Sequence, residues 1–376
     1  MSNWAPHTFR ARATAKGCDP EFIETLVTEG NSLRANNVPV VFTLRHLAEI
    51  TAAPFRLLER TVKRTADPYR VFKLRKRRPS SNYRQIAIPD NHLASVQRWI
   101  HDEILSKGNL HPASTAFSSG CEPLKNAQLH SGAKWLVKMD ITDFFEAVSE
   151  RQVYRIFRSF GYRPLMAHQF SRLCTRLSDN QFKYRQRRWH TGIERIGHLP
   201  QGAPTSPMLA NLVCADLDRD LFDLGSKFGC VYTRYADDIV FSTHEFSRES
   251  ASQLITKASK VLGHMGFTRN RRKTHVCPPG ARKVVTGLLV DQDAPRLTRE
   301  FREQIKLHLY NVNKWGLADH CRRRGFRSLI GFRAHLHGLI TYAEHIEANF
   351  GAKCRIDFDS IEWGDLSAIP LFPPTQ

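Results

Sequence analysis

Hydrophobic residues in the first third of the chain recur mainly at helical spacing. Residues 20–29, 43–63 and 92–105 place apolar side chains every three or four positions, which predicts helices. Residues 71–89 are basic, and 83–88 alternate between polar and apolar positions after a Pro-Ser-Ser-Asn turn at 79–82. That pattern predicts a β-hairpin. The other residues up to 40 are polar and irregular, so we expect an N-terminal extension there.

The middle of the chain mixes the two periodicities, and the end is helical again. Short apolar runs predict strands over 135–139, 230–235, 239–243 and 283–290. Helical spacing covers 150–178, the residues from about 207, 252–265, and the basic residues from about 299 onward, before a proline-rich tail at 370–376. The order of elements predicts mixed α and β structure in the middle of the chain, flanked by helical, basic ends.

Length and composition limit the class of protein. With 376 residues, 41% of them hydrophobic, the chain can form two or three folded subdomains. It has no run of about 18 apolar residues, and its first residues lack the apolar stretch of a secretory signal. We therefore expect a cytoplasmic protein with no membrane partner. The eight cysteines are widely spaced and form no zinc pattern, as expected for reduced thiols.

The net charge indicates the class of partner. Lys and Arg number 56 against 36 Asp and Glu, which gives a formal charge of +20 at pH 7. A field of this sign attracts polyanions, and nucleic acid is the usual one in cells. Charge alone does not separate RNA from DNA, or either of them from an anionic membrane surface.

Three aspartates stand out in this basic chain. Asp140 ends an apolar strand, and Asp237 and Asp238 are adjacent between two others. Neighbouring carboxylates repel each other, and a folded protein tolerates them best around a cation. Oxygen ligands without His or Cys favour Mg²⁺, and two such ions can clamp the reacting oxygens of a phosphoryl transfer. The alternative is that Asp237 and Asp238 simply form a turn, where aspartate is common.

Three motifs, in this order, resemble those of reverse transcriptases: Asp140-Ile-Thr-Asp-Phe-Phe145, Gln201-Gly-Ala-Pro-Thr-Ser-Pro207 and Tyr235-Ala-Asp-Asp238. The residues Arg84-Gln-Ile-Ala-Ile-Pro89 are similar to the family's fingers motif. The resemblance covers about residues 41–345. It implies a right-hand polymerase fold of the α+β class, with fingers, a palm whose antiparallel sheet carries the Tyr-Ala-Asp-Asp hairpin, and a helical thumb.

The resemblance also implies domain limits. An N-terminal extension would cover 1–40, and N-terminal helices and fingers would cover 41–139. The palm would follow over 140–296, with an inserted fingers segment at about 150–200. A basic helical thumb and the C-terminal tail would occupy 297–376.

Roles for individual residues follow from the same resemblance. Asp140, Asp237 and Asp238 would be catalytic and would hold two Mg²⁺ ions, with Mn²⁺ as a substitute and the Ile141 carbonyl as a further ligand. The dNTP would be contacted by Arg84 at its triphosphate, Phe145 as a steric gate against the ribose 2′-OH, Gln201 in the pocket, and Lys273 as proton donor to pyrophosphate. The alternatives are an ordinary core aromatic at Phe145 and an exposed lysine at Lys273.

Two further signatures resemble those of retron reverse transcriptases. Asn126-Ala-Gln-Leu-His130 precedes the strand that ends at Asp140, and Val285-Thr286-Gly287 follows the aspartate pair. The resemblance implies that Asn126, His130 and Thr286 contact RNA or the RNA–DNA hybrid, with simple packing as the alternative for His130. Arg187 and Arg188 lie in a basic, aromatic segment, 181–195, whose composition suits stacking and phosphate contact with nucleic acid.

A retron enzyme would have a defined reaction and set of partners. It would copy part of a cognate structured noncoding RNA into single-stranded DNA, starting from the 2′-OH of a guanosine, and would keep the branched hybrid (msDNA) bound. The family serves in antiphage defence with a separately encoded effector, and a host ribonuclease H would remove template RNA. The alternatives are a non-retron bacterial defence polymerase of the abortive-infection type and a catalytically idle RNA-binding scaffold.

Overall fold

The structure is a computed structural model that describes residues 4–75, 83–177 and 196–364. The chain divides into two compact units. The first comprises Met1–Gly120, Lys138–Ile239 and Arg248–His275, and the second comprises Cys121–Val137, Val240–Ser247 and Val276–Gln376. Within the described ranges, no helix is long and apolar enough to cross a membrane.

Helices dominate both units. In chain order the helices are α1 (Pro6–Ala15), α2 (Pro20–Ala35), α3 (Leu44–Ile50), α4 (Phe55–Val62), α5 (Asn91–Glu103), α6 (Pro123–Gln128), α7 (Phe144–Ala147), α8 (Glu150–Ser159), α9 (Pro164–Cys174), α10 (Ser206–Val213), α11 (Ala215–Lys227), α12 (Arg248–His264), α13 (Arg299–Trp315), α14 (Leu317–Arg324), α15 (Leu329–Ile346) and α16 (Ala348–Asp359). The strands are β1 (Tyr69–Arg75), β2 (Tyr83–Pro89), β3 (Trp135–Asp140), β4 (Val231–Tyr235), β5 (Asp238–Thr243), β6 (His275–Cys277), β7 (Val284–Val285), β8 (Leu288–Leu289) and β9 (Arg296–Leu297).

Two stretches with continuous helical spacing are each broken into two helices. The predicted helix over 43–63 is interrupted between α3 and α4, where Ala52 has a φ of +50° and Pro54 precedes the second helix. The predicted helix over 150–178 is interrupted between α8 and α9 by Gly161, with a φ of +99°, and by Pro164 at the start of α9. A left-handed residue ends a helix and a proline favours a new start, so the apolar spacing continues while the axis changes.

Helix α1 was not predicted, because no side chain of this helix is buried and it has no apolar stripe. Aromatic contacts hold it instead. The Trp4 ring lies 5.3 Å from that of Phe9 and 5.7 Å from that of Phe42, and Trp4 Nε1 donates to Asn31 Oδ1 at 2.9 Å. Helix α2 confirms the helix predicted over 20–29 and extends it to Ala35.

Strands β1 and β2 confirm the predicted basic hairpin. They pair antiparallel from Tyr69 opposite Pro89 to Arg75 opposite Tyr83. The turn predicted at 79–82 lies outside the described residues.

A four-stranded sheet has the strand order β4-β5-β3-β6 and contains the strands predicted around the three aspartates. Only Ala236 and Asp237 separate β4 from β5, so these neighbouring strands run antiparallel. Strand β3 ends at Asp140 beside β5, which begins at Asp238. The sheet order therefore brings together two acidic segments that lie almost 100 residues apart in the sequence.

In the second unit, the single strand predicted over 283–290 is wrong. The chain instead forms a short hairpin, β7 and β8, to which β9 adds a third antiparallel strand. Thr286 and Gly287 form the turn with φ angles of +46° and +86°. Two consecutive positive φ angles are typical of a type I′ turn, whose twist matches that of the flanking strands. Because the residues on both sides of this turn are apolar, the sequence pattern of 283–290 resembles one continuous strand.

The core of the second unit joins this small sheet to the C-terminal helices. Its buried side chains include Val285, Leu288, Val290, Leu297, Ile305, Leu309, Phe332, Leu336, Ile340, Cys354 and Phe358. The helices predicted from 299 onward are confirmed as α13 to α16. Their apolar faces form this core, while arginines and lysines occupy the outer faces.

Candidate active site

A backbone hydrogen bond joins the turn between β4 and β5 to the end of β3, and a second one joins the end of β3 to the segment around Asn270. Ala236 is left-handed, with a φ of +57°, and this lets a two-residue turn reverse the chain. The Ile141 N–H donates to the Asp237 carbonyl at 2.9 Å, and the Asn270 N–H donates to the Asp140 carbonyl at 2.8 Å. The three aspartate positions are therefore neighbours in the fold.

The aspartates also interact electrostatically. The pKa of Asp237 is raised, first by burial and then by the negative charges of Asp140 and Asp238. Two lysines offset the charges of these two neighbours. Lys273 Nζ lies 2.6 Å from Asp140 Oδ2, and Lys138 Nζ lies 3.1 Å from Asp238 Oδ2. Asp140 is only 3% exposed. On the carboxylate side, the Lys273–Asp140 contact is therefore more shielded from water than the Lys138–Asp238 contact.

The donor set suits a hard cation, although the side chains do not converge on a common point. Among the described residues, no three His, Cys, Asp or Glu side chains meet at ligand distances. Asp140 and Asp238 each face an ammonium group, and the charge of Lys273 offsets part of the rise in the Asp237 pKa. Three carboxylates and a main-chain carbonyl at Ile141 are the oxygen ligands that Mg²⁺ or Mn²⁺ takes. These residues therefore fit a divalent ion by their chemistry.

Two of the candidate dNTP residues, Arg84 and Gln201, lie on segments that are joined by a backbone hydrogen bond. The Ala87 N–H of β2, the strand that carries Arg84, donates to the Gln201 carbonyl at 2.8 Å. Gly202 has a φ of +116°, and a Cβ there would lie 3.1 Å from the Ala87 carbonyl oxygen. Only glycine therefore allows this loop to approach the strand so closely.

Phe145 lies on α7, five residues after Asp140. Its ring packs 5.4 Å from that of Phe144 and 6.2 Å from that of Phe117, and the side chain is half-buried rather than sealed in the core. Asp143, before the helix, has a φ of +47°, which turns the chain sharply after the strand.

Lys273 is 52% exposed at its side chain and is bound to Asp140, so its free surface faces solvent.

Both retron-like signatures lie in the second unit, and a hydrogen bond joins one of them to the helix on which the other begins. The Thr286 hydroxyl in the β7–β8 turn donates to the Pro123 carbonyl at the start of α6, at 2.7 Å. His130 Nδ1 lies 2.7 Å from Ser242 Oγ, the ring is 1% exposed, and burial lowers its pKa to about 4. This placement favours the packing alternative for His130.

Asn126 is also only 1% exposed, but its amide differs from the His130 ring. Neither the Oδ1 nor the Nδ2 atom has a hydrogen-bond partner in the described part of the chain. An unsatisfied buried amide is costly, and Asn126 therefore stays a candidate for contact with RNA. Arg187, Arg188 and the rest of the segment 181–195 lie outside the described residues.

Two functional candidates were missed in the sequence. Lys138 precedes Asp140 by two positions on β3, so both side chains project to the same face of the sheet. Arg234 is fully buried within β4. It lies just before the turn at Ala236 and Asp237, which we call the aspartate turn. The signal in each case was a basic residue inside an otherwise apolar strand.

Comparisons with known proteins identify the family of this chain. Residues 74–293 match the family model described as reverse transcriptase (RNA-dependent DNA polymerase). The retron Ec86 reverse transcriptase of Escherichia coli is 28% identical over 332 residues, which are 85% of this chain and 95% of that protein. The retron Ec73 reverse transcriptase of Escherichia coli is 30% identical over 74% of this chain and 84% of its own length.

Two further matches cover less of the chain or of the matched protein. The retron Mx162 reverse transcriptase of Myxococcus xanthus is 34% identical over 61% of this chain, and the match spans half of that protein. Among solved structures, a foamy viral protease-reverse transcriptase in complex with double-stranded DNA is similar over 79% of this chain and 40% of that chain, at 17% identity and a TM-score of 0.43, too weak a likeness to add detail. From its family match and its E. coli relatives, the chain belongs to the reverse transcriptase family, the RNA-dependent DNA polymerases, and within it to the retron type.

Proposed function

We propose that this enzyme copies part of a cognate structured noncoding RNA into single-stranded DNA. Synthesis starts from the 2′-OH of a guanosine in that RNA and gives a branched RNA–DNA hybrid, msDNA. The hybrid stays bound and acts in antiphage defence together with a separately encoded effector, after a host ribonuclease H has removed template RNA. The presence of both retron-like signatures and the similarity to named retron enzymes support this proposal.

The observation that carries the proposed chemistry is the hydrogen bond from the Ile141 N–H to the Asp237 carbonyl. It holds the strand end at Asp140 against the turn that bears Asp237 and Asp238. In the proposal, these aspartates and the Ile141 carbonyl hold two Mg²⁺ ions, or Mn²⁺. Bound ions would supply positive charge to the phosphate oxygens during transfer.

The remaining roles concern the dNTP and the growing hybrid. Arg84 binds the triphosphate, Gln201 lines the pocket, and Phe145 blocks a ribose 2′-OH. Lys273, whose Nζ lies 2.6 Å from Asp140 Oδ2, donates a proton to the leaving pyrophosphate. Asn126, Thr286, Arg187 and Arg188 contact RNA or the hybrid. The proposed fingers, palm and thumb keep the limits given above.

The test is to purify the full chain from cells that express it with its native flanking DNA, and to sequence the bound nucleic acid. We expect one uniform branched RNA–DNA species. The matched control is the double variant Asp237→Asn, Asp238→Asn, which preserves side-chain volume and should bind the RNA without any attached DNA. DNA in the variant would contradict the aspartate assignment.

The same experiment separates the alternatives. Random homopolymer or genomic copies would indicate an abortive-infection type of polymerase. Bound RNA without DNA in the wild-type protein would indicate an idle scaffold.

A further inference from the structure

Beneath the aspartate turn, the first unit contains a fully buried ion pair. Arg234 of β4 and Asp218 of α11 are both 0% exposed. The pair is bidentate, with Arg234 Nε 2.7 Å from Asp218 Oδ1 and Nη2 2.6 Å from Oδ2. The Tyr232 hydroxyl donates to Asp218 Oδ1 at 2.8 Å. Burying two charges is costly, and the mutual attraction of the pair only roughly offsets that cost.

The three remaining N–H groups of the guanidinium contact other segments. Nη1 donates to Asn211 Oδ1 at 3.0 Å and to the Ala236 carbonyl at 3.1 Å, and Nη2 donates to Ser114 Oγ at 3.1 Å. A guanidinium has five N–H donors in one plane, and all five are used here. A lysine ammonium has three donors and cannot reproduce this set.

The contact with Ala236 bears directly on the aspartates. The Ala236 carbonyl belongs to the peptide group that leads into Asp237, and Ala236 has a left-handed φ of +57°. That conformation is unfavourable for a residue with a Cβ and persists only where its surroundings impose it. The hydrogen bond from the guanidinium fixes the plane of the Ala236–Asp237 peptide group. The orientation of that peptide group sets the direction of the chain at Asp237.

The same guanidinium also contacts the segment that follows Asp140. Its central carbon lies 5.7 Å from the ring centroid of Phe144, and the Phe144 ring packs 5.4 Å from that of Phe145. Arg234 is therefore bonded to the turn at Ala236 and also lies over the ring of Phe144, the neighbour of Phe145.

We propose that Arg234 is a positioning residue for nucleotide transfer, whose five-donor guanidinium sets the Ala236–Asp237 peptide relative to the Phe144–Phe145 segment. The inference rests on the proposed role of Asp237 and Asp238. It predicts that the geometry of the turn, and not only the stability of the fold, depends on this side chain. Asp218 holds the guanidinium in place through both of its carboxylate oxygens.

The first test compares Arg234→Lys with Arg64→Lys. Arg64 is the matched control, because it is also a largely buried arginine of the first unit, paired with Glu150 at 2.7 Å, and none of its hydrogen bonds reaches the aspartate turn. Three quantities are measured for each protein: the melting temperature, Mn²⁺ binding by electron paramagnetic resonance without nucleic acid, and kcat and KM for dTTP on poly(rA) primed with oligo(dT).

We expect Arg234→Lys to lower kcat by about 30-fold, to weaken Mn²⁺ binding by about fivefold, and to leave KM for dTTP within about threefold. The Arg64→Lys protein should lose thermal stability and keep the wild-type kcat and Mn²⁺ affinity. If Arg234→Lys is folded and keeps both quantities within about twofold of the wild type, the proposal is wrong.

A second variant covers the case in which Arg234→Lys does not fold. The triple variant Arg234→Met, Asp218→Leu, Tyr232→Phe replaces the buried charges with apolar groups, and such replacements are often neutral or stabilising. We expect a folded protein with reduced kcat and weakened Mn²⁺ binding. Restored wild-type values for both would show that the pair only supports the fold.

The design also separates this inference from the proposed function. If the wild-type protein extends no primer, the proposed polymerase role fails, and the Mn²⁺ measurements still decide whether Arg234 controls the aspartate turn.

Discussion

Two of the three aspartates form an ion pair with a lysine, and the two lysine side chains differ in their exposure to solvent. Lys273 reaches Asp140 from a largely exposed position, whereas Lys138 is bound to Asp238 on the strand and its side chain is 26% exposed. An ammonium group at 3.1 Å occupies a carboxylate oxygen that a metal ion would need. If Asp238 holds a divalent ion as proposed, Lys138 competes with that ion for the carboxylate.

Replacing Lys138 should strengthen divalent binding. We expect Lys138→Met to tighten Mn²⁺ binding by about threefold to tenfold, because a competing charge at the carboxylate is removed. Titration calorimetry without nucleic acid measures this. Lys134→Met is the control, since it removes an equal charge from an exposed position just before β3. Unchanged or weaker binding in Lys138→Met would contradict the argument.

Phe145 offers a test of sugar discrimination. We expect Phe145→Ala to raise the ratio of ribonucleotide to deoxyribonucleotide incorporation by about tenfold or more, because the half-buried ring would no longer exclude a 2′-OH. Single-nucleotide primer extension with GTP and dGTP measures the ratio. Phe222→Ala, at a phenylalanine 45% exposed on α11, is the control. Equal ratios in the two variants would assign Phe145 to the core alone.

His130 makes a prediction about stability and pH. Burial lowers its pKa from 6.5 to about 4, so between these values the unfolded chain binds a proton that the folded chain does not. The free energy of unfolding should therefore fall as the pH drops from 6.5 to 4, by about 3 kcal/mol from this group. Urea unfolding of wild type and His130→Gln at several pH values tests this, and we expect the variant to show the smaller pH dependence. Equal slopes would be the contrary result.

At the scale of elements, the β7–β8 hairpin shows how a turn can be hidden in an apolar run. Its two turn residues have positive φ angles, and one of them, Thr286, is bonded to α6. The retron-like signature at 285–287 therefore has a structural consequence, because it forms the turn that attaches this hairpin to the segment bearing the other signature.

The turn can be tested with two glycines of the second unit. Gly287 has a φ of +86° and Gly338 lies within α15, and a Cβ at either position would meet no atom within 4 Å. Gly287→Ala should lower the free energy of unfolding by about 1 kcal/mol, because alanine disfavours this φ. Gly338→Ala should raise it by a similar amount, because alanine favours helix. Chemical denaturation measures both, and the same sign of change in both variants would contradict the assigned turn.

At the scale of the whole molecule, the boundary between the units passes within β3 and β5. Lys138–Ile239 belongs to the first unit, while Cys121–Val137 and Val240–Ser247 belong to the second. The aspartates therefore lie in one unit, and both retron-like signatures lie in the other. The proposed catalytic residues and the two retron-like signatures are thus assigned to different units.

The net charge of +20 makes a prediction for the full chain. We expect its affinity for structured RNA to fall by about 100-fold or more between about 50 and 200 mM salt, since counterions are released on binding. Filter binding with the Asp237→Asn, Asp238→Asn protein measures this without DNA synthesis. A salt-independent affinity would mean that the excess charge serves another purpose.

Much of the fold could be predicted because local patterns specified it. The strands around Asp140 and the Asp237–Asp238 pair, the basic hairpin and the C-terminal helices all follow from periodicity and composition. The breaks at Ala52 and Gly161 could not be predicted in the same way. The apolar spacing runs through them, and it does not encode the left-handed backbone at Ala52 and Gly161 that ends each first helix.

The sequence alone determined the order of the motifs, the charge and the chemical nature of the three carboxylates, because these depend on residue identity and spacing. Only the tertiary structure decided which partners those carboxylates have. Lys138, Lys273 and Arg234 reach the site through sheet order and side-chain packing. Such contacts join residues up to 133 positions apart, and no local pattern encodes which charges will meet when the chain closes.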